Sequence, residues 1–280
     1  MAYNCVNVPN STFSNSSTSY ADPVQGAANN CSLIASLASV AWVTSIIPYP
    51  RSLVNNNYQV WFYNPVPVPY YVPQTLWYDP AANPKLRYAR SHFSTDIWPG
   101  IYEKAYALLL CGTPKCNMDE VDTAKKWPGN ASPPLKHLTG LPFPRTIDPL
   151  SKDCIKPLCD SGQISRPAVM WTKSDIADGT DEMEHDHSYS VFGMYNADYV
   201  VLRNPSGQNN NQNNPNVIDE GVWQVNQRIW NCRRLMYQTG SIMGSNGIQN
   251  ISLGEKGFFA LKATKIPYYF AGWTYIGVTP

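Results

Sequence analysis

An α+β fold in two lobes, a helical lobe followed by an antiparallel β lobe, is what the 280-residue sequence predicts. Three observations carry that expectation. Two stretches before residue 110 place apolar residues three and four apart, the period of a helix with a buried face. After residue 165, short runs rich in Val, Tyr, Phe and Trp follow one another between turn signals, the mark of paired strands. Apolar residues make up 43% of a chain long enough to bury a substantial core without staples.

Taken in order, residues 1–22 are rich in Ser, Asn and Thr without apolar period and read as an extended arm, tied down through Cys5. Residues 23–140 form the helical lobe. From Cys31, the positions Leu33, Ile34, Leu37, Ala38 and Ala41 predict a buried helix, capped by Asn29 or Asn30 and ended by Pro48 and Pro50. Tyr58 to Tyr63 predicts a strand, and the Pro-rich stretch from Pro65 to Pro73 an edge strand or extended chain. A second helix is expected near Asp96, with Ile97, Ile101, Ala105 and Leu108 on one face, Thr95 or Asp96 as cap and Pro99 in the first turn. Lys125 to Pro144 reads as loop, with Gly140 as the boundary between lobes. Residues 141–280 form the β lobe. Its expected strands run Val169–Thr172, Ser188–Met194, Tyr199–Leu202, Gly221–Val225, Gly257–Lys262 and Tyr268–Val278, and the polar tract from Gln208 to Asn216 reads as a surface loop.

Composition removes several function classes. A net charge of +1 with only 15% charged residues argues against a nucleic-acid partner and against a polybasic membrane ligand. No run approaches the ~18 consecutive apolar residues of a membrane span. A monomer with no membrane partner is expected. The seven cysteines are Cys5, Cys31, Cys111, Cys116, Cys154, Cys159 and Cys232, an odd number that leaves one over if the rest pair. Cys111/Cys116 and Cys154/Cys159 are spaced C-x4-C. That spacing fits small disulfide loops, and less well a four-thiolate zinc site. Asn10, Asn15, Asn30, Asn130 and Asn250 begin glycosylation sequons. Together with low charge and abundant Tyr and Trp, these features predict a secreted, extracellular, disulfide-bonded glycoprotein. No signal peptide is visible at Met1, so the expectation is a mature chain with an added Met, the alternative being a cytoplasmic chain with reduced thiols.

The leftover thiol is the chemical lead. Cys31 stands at the start of the first helix, where unpaired N–H groups and the helix dipole favour thiolate. Of the four histidines, His187 begins one predicted strand, and Asn204 ends its partner. Residues paired across a hairpin have a constant index sum. The sum for His187 and Asn204 puts the turn centre at 195.5, one residue from the centre of the predicted turn 195–198. Pattern alone therefore places Asn204 opposite or next to His187, within side-chain reach. A carboxamide oxygen accepting from one ring nitrogen aims the other at the thiol. Gln25, six residues before Cys31, can join the Cys31 backbone N–H in an oxyanion hole.

Four runs in order, Gln25-Gly-x4-Cys31, Trp98-Pro-Gly-Ile-Tyr-Glu-Lys-Ala-Tyr-Ala107, His187-Ser-Tyr-Ser-Val-x-Gly193 and Leu202-Arg-Asn-Pro-x-Gly207, resemble the catalytic core of the calpain family of cysteine proteases. The resemblance spans about residues 22 to 265. It implies a papain-like two-lobed fold and an endopeptidase acting on extended polypeptide, with Cys31 as nucleophile, His187 as general base, Asn204 as the orienting amide and Gln25 as the oxyanion-hole side chain. It also implies calcium as a cofactor that is not required, with Asp22 and Asp96 as first-site ligands; a turn residue and an N-cap are the other reading of these two. Departures from the family pattern are Asn29-Asn30 for Gly-Asp, Ser32 and Ser206 for Trp, and Gln208, Asn210 and Gly257 where acids are expected. Two alternatives share the fold: acyl transfer or deamidation at Gln side chains through the same triad, and a catalytically inactive secreted binding module.

Overall fold

The computed structural model describes residues 5–7, 19–44, 51–53, 57–73, 75–77, 86–92, 97–112, 127–141, 144–147, 159–160, 162–176, 183–209, 214–227 and 247–276. Among the described residues it is a mixed α+β arrangement of four helices and many antiparallel strands. Helix α1 (Cys31–Thr44) is buried along its length. Its sequence is apolar or small on every side, as a helix enclosed by protein requires. Ala38, Trp42 and Val43 pack into one core with the main sheet, while Leu33, Ile34, Leu37, Val40 and Ala41 pack into a second core. That second core also takes in helix α2 (Trp98–Cys111) and the strand Asn57–Tyr63.

The serines in α1 are the reason it approaches the sheet so closely. Ser39 donates to the Ala168 carbonyl at 2.9 Å and accepts from the Ala168 N–H at 2.8 Å. Ser190 Oγ donates to the Ala35 carbonyl at 2.8 Å, and Ser36 to the Ser32 carbonyl one turn back. A buried hydroxyl without a partner would destabilise the fold; these all have one.

Among the described residues the main sheet has nine strands. Along its path lie Val217–Ile218, Phe258–Lys262, Tyr199–Arg203, Ser188–Tyr195, Ala168–Thr172, Phe270–Ile276 and Pro144–Ile147, all antiparallel neighbours. The expected hairpin forms: Tyr195 pairs with Tyr199 across a turn in which Asn196 and Ala197 take positive φ. Its register slips once, between Val191 and Gly193. Gly193 has φ 144°, and an added Cβ there would run into the Gly162 carbonyl and the Trp223 ring, so the bulge needs glycine. The Pro-rich segment forms the strand Pro67–Pro73 at the edge of a three-stranded sheet, where missing N–H groups cost nothing.

Several expectations need correction. Helix α2 starts at Trp98 with Ile97 as N-cap and no side-chain cap; Pro99 is in its first turn as expected, and Thr95 and Asp96 lie outside the described residues. The stretch expected to be loop contains helix α3 (Ser132–Thr139), closed by Gly140 in the left-handed conformation. Pro133 and Pro134 sit in its first turn, where prolines remove only N–H groups the helix does not use. The polar tract is not all surface: Asn214 is buried and donates to the Tyr269 hydroxyl at 2.9 Å. The final strand begins at Phe270, after helix α4 (Ile266–Tyr269). Ala21 and Asp22, read as the end of a polar arm, are buried.

Asp22 joins the two cores. Its Oδ2 accepts from the Trp98 indole at 3.1 Å and from the Ser19 N–H at 2.7 Å. Its charge opposes the effect of burial on Arg203, whose guanidinium is pushed down to about 10. Arg203 is fully buried and donates to the carbonyls of Ala21 and Lys256. Removing the carboxylate would leave that guanidinium without its counter-charge. Asp22→Ala is therefore expected to lower stability by about 3–5 kcal/mol, measured by chemical unfolding; a change within error would contradict this role.

Candidate active site

Cys31 opens α1 because Asn30 is held from outside the helix. The Asn30 carbonyl accepts from the N–H of Leu33 and of Ile34, which makes it the first acceptor of the helix. Its side-chain Nδ2 donates to Glu103 Oε1 on α2 at 2.5 Å, and Glu103 Oε2 accepts from the Ala89 N–H. Asn30 is fully buried, which removes its sequon as a glycan site, whereas Asn130 and Asn250 are exposed and Asn10 and Asn15 lie outside the described residues.

The Cys31 thiol is free and 8% exposed. Its ionisation is coupled to that of the His187 imidazole and helped by the N–H and hydroxyl of Ser188. Burial alone would push the thiol up. The bond to His187, the imidazolium charge and the two Ser188 donors outweigh it and hold the thiol below its usual value. Burial alone would push His187 down. The bond to Cys31, the charges of Cys31 and Glu184 and the bond to Asn204 outweigh it and hold the imidazole above its usual value. Each group is shifted toward its charged form by the other.

The hairpin supplies the third member. His187 Nε2 lies 3.0 Å from Asn204 Oδ1. Beyond the bulge the ladder pairs Ser190 with Arg203, so Asn204 stands nearest Tyr189 and reaches His187 diagonally along the same face. Asn204 is itself held by Gly257 and Gly207 through its backbone, and by the Ser206 N–H, which donates to Oδ1 at 3.0 Å. His187 is fixed to the neighbouring strand by Thr172, whose hydroxyl accepts from its N–H at 2.9 Å. The Tyr189 ring meets the imidazole edge-on at 5.1 Å.

A groove of about 440 Å³ is lined by Asn29, Cys31, Trp127, Pro128, Gly129, Trp171, Thr172 and Asp186. Ser32 Oγ anchors the 127–129 segment of the lining by donating to the Pro128 carbonyl at 2.7 Å.

Gln25 precedes this site on a loop whose N–H donates to the Pro205 carbonyl, beside Asn204. One N–H of its carboxamide donates to the Ala28 carbonyl at 2.8 Å, which leaves the second for another acceptor. Asp22, the other residue singled out near it, has Oδ2 engaged by the Trp98 indole and the Ser19 N–H and lies in the field of buried Arg203. Asp96 lies outside the described residues. Among the described residues no three of His, Cys, Asp and Glu gather as a metal-binding group. Cys111 is disulfide-bonded. No helix among the described residues is long and apolar enough to cross a membrane.

Sequence reasoning missed Ser188, Glu103 and Glu184. Ser188 follows His187 directly and could have been noticed; nothing in spacing connects Glu103 with Asn30. Glu184 lies three residues before His187, in an irregular segment where Asp186 has φ 48°. A scan against protein-family models finds no match, and no curated protein matches the chain.

The Ser188 contact makes a testable statement. Ser188→Ala removes one donor from the thiolate, so the Cys31 pKa rises. Iodoacetamide alkylation of Cys31 at pH 6 is expected to slow several-fold, while the rate well above the thiol pKa stays near the wild-type value. Equal rates at pH 6 would contradict the contact.

Proposed function

We propose that the chain is a cysteine endopeptidase of papain-like, two-lobed architecture, resembling the calpain family, that hydrolyses extended polypeptide. One observation carries the reading: a free, buried thiol at a helix start and an imidazole that a carboxamide orients shift each other toward their charged forms. The groove that Cys31 lines supports it, since a peptide segment needs an open approach to the nucleophile.

In this mechanism Cys31 Sγ attacks the scissile carbonyl carbon, and the oxyanion is held by the Cys31 backbone N–H and the second N–H of Gln25. The C–N bond breaks as His187 gives its proton to the leaving amine. His187 then takes a proton from water, whose oxygen attacks the thioester carbon, and the thiolate leaves as the carboxylic acid forms. Asn204 keeps the ring nitrogens in register throughout. No step needs calcium. Exposed Asn130 and Asn250 and the disulfide at Cys111 support a secreted chain.

Cys31→Ala is expected to abolish cleavage of an unfolded protein while leaving the unfolding midpoint nearly unchanged. Cleavage is read as new amino termini. Retained cleavage would overturn the proposal. Ammonia release from Gln side chains without new termini would indicate acyl transfer, and inertness of the wild-type chain a binding module.

A further inference from the structure

The hydrogen bonds around Asn204 determine which atoms carry protons. The Ser206 backbone N–H can only donate, so the Asn204 atom 3.0 Å from it is the carbonyl oxygen. The other end of that amide is therefore NH2, and it donates to Glu184 Oε1 at 2.9 Å. The same carbonyl oxygen lies 3.0 Å from His187 Nε2, which must therefore carry a hydrogen. The remaining ring nitrogen, Nδ1, lies 3.3 Å from Glu184 Oε2. In a neutral ring protonated at Nε2, Nδ1 holds a lone pair, and two lone pairs facing each other repel. In the imidazolium, Nδ1 carries a hydrogen and the contact becomes a charge-assisted bond. His187, Asn204 and Glu184 thus close a ring of three contacts that is attractive at every corner only when the imidazole is charged.

We propose that Glu184 is a positioning residue for His187, holding the ring in its imidazolium form and aiming Nδ1–H, the one ring hydrogen not engaged by Asn204, between its own carboxylate and the Cys31 sulfur. Its effect on hydrolysis rests on the peptidase reading; its effect on His187 does not. Glu184 is held in place for this role. Its N–H donates to the Tyr189 hydroxyl at 3.2 Å and its carbonyl accepts from the Thr172 hydroxyl at 2.6 Å, both on strands of the main sheet. The left-handed turn at Asp186 folds the segment so that residues 184 and 187 face each other.

The groups acting on His187 are few. From α1 there is Cys31, and from its own segment Glu184. Burial pushes the Tyr189 phenol far above its usual value, so it stays neutral. Thr172 and Asn204 are uncharged, and Lys173, beside Thr172, directs Nζ to the Pro267 carbonyl. His185 turns its ring to the Ser174 carbonyl, and Asp186 faces the groove.

The sign follows. Glu184 stabilises the protonated ring, so removing its charge lowers the pH at which His187 loses its proton. Glu184→Gln keeps the shape and replaces the carboxylate by an amide that can donate to a neutral Nδ1. The test uses the full chain carrying Cys31→Ala, so that no thiolate contributes, and reads His187 by NMR titration. Adding E184Q is expected to lower its pKa by about one unit, whereas E184D, which keeps the charge, retains most of the wild-type value. Glu184→Ala, read the same way, covers a failure of E184Q to fold. An unchanged His187 pKa in both charge-removing variants, even with a lowered unfolding midpoint, would reduce Glu184 to a structural residue and overturn the proposal. In the thiol-bearing enzyme E184Q should also move the alkaline limb of hydrolysis down by a similar interval. A shifted His187 in a chain that does not cleave polypeptide would sink the peptidase reading and leave this assignment standing.

Discussion

Burying a thiol favours its neutral form, and so does burying an imidazole. Placed together, the two can exchange one proton and offset both penalties with a short-range ion pair. The mutual shift of Cys31 and His187 toward their charged forms is the interaction on which the rest of the arrangement depends. The thiol comes from a helix in the first half of the chain and the imidazole from a hairpin in the second. Neither half can make the pair alone.

The fold reads as a set of devices for holding that contact. Helix α1 is shared between two cores, and its small residues let Ser39 bond across to the sheet and Ser190 bond back from the sheet to the helix. The distance from sulfur to ring is therefore set by backbone packing rather than by flexible side chains. Asn30 is pinned by Glu103, which ties the start of α1 to α2. Asp22 and Arg203 link the segment before Gln25 to the residue before Asn204. Polar groups inside these cores are costly unless satisfied, and most of those described have partners.

Legibility in the sequence followed range. Helix α1 was visible because its spacing is local, and the hairpin because a turn signal separates two β-rich runs. The pairing of His187 with Asn204 could be read from index sums, although the bulge at Gly193 displaced the ladder. A glycine inside a strand run was the available hint. Helix α3 was hidden by Pro133 and Pro134, residues that break a helix interior but are at home in a first turn. Asn214 was hidden by composition, since a polar tract gives no sign that one of its amides will meet a buried tyrosine. Glu184 could not be read because its role depends on a through-space ring of bonds with no sequence period. The motifs at Cys31, His187, Asn204 and Gln25 gave no sign that the Ser206 backbone N–H fastens the Asn204 oxygen.

The central claim is that His187 shifts the Cys31 thiol toward its reactive thiolate form. The most direct test treats the native chain and a His187→Ala variant with a peptidyl epoxide, without reductant, and locates the adduct by mass spectrometry. The account predicts one equivalent on Cys31 of the native chain and a rate at least tenfold lower in the variant. An unlabelled Cys31, or equal rates in the two proteins, would contradict it.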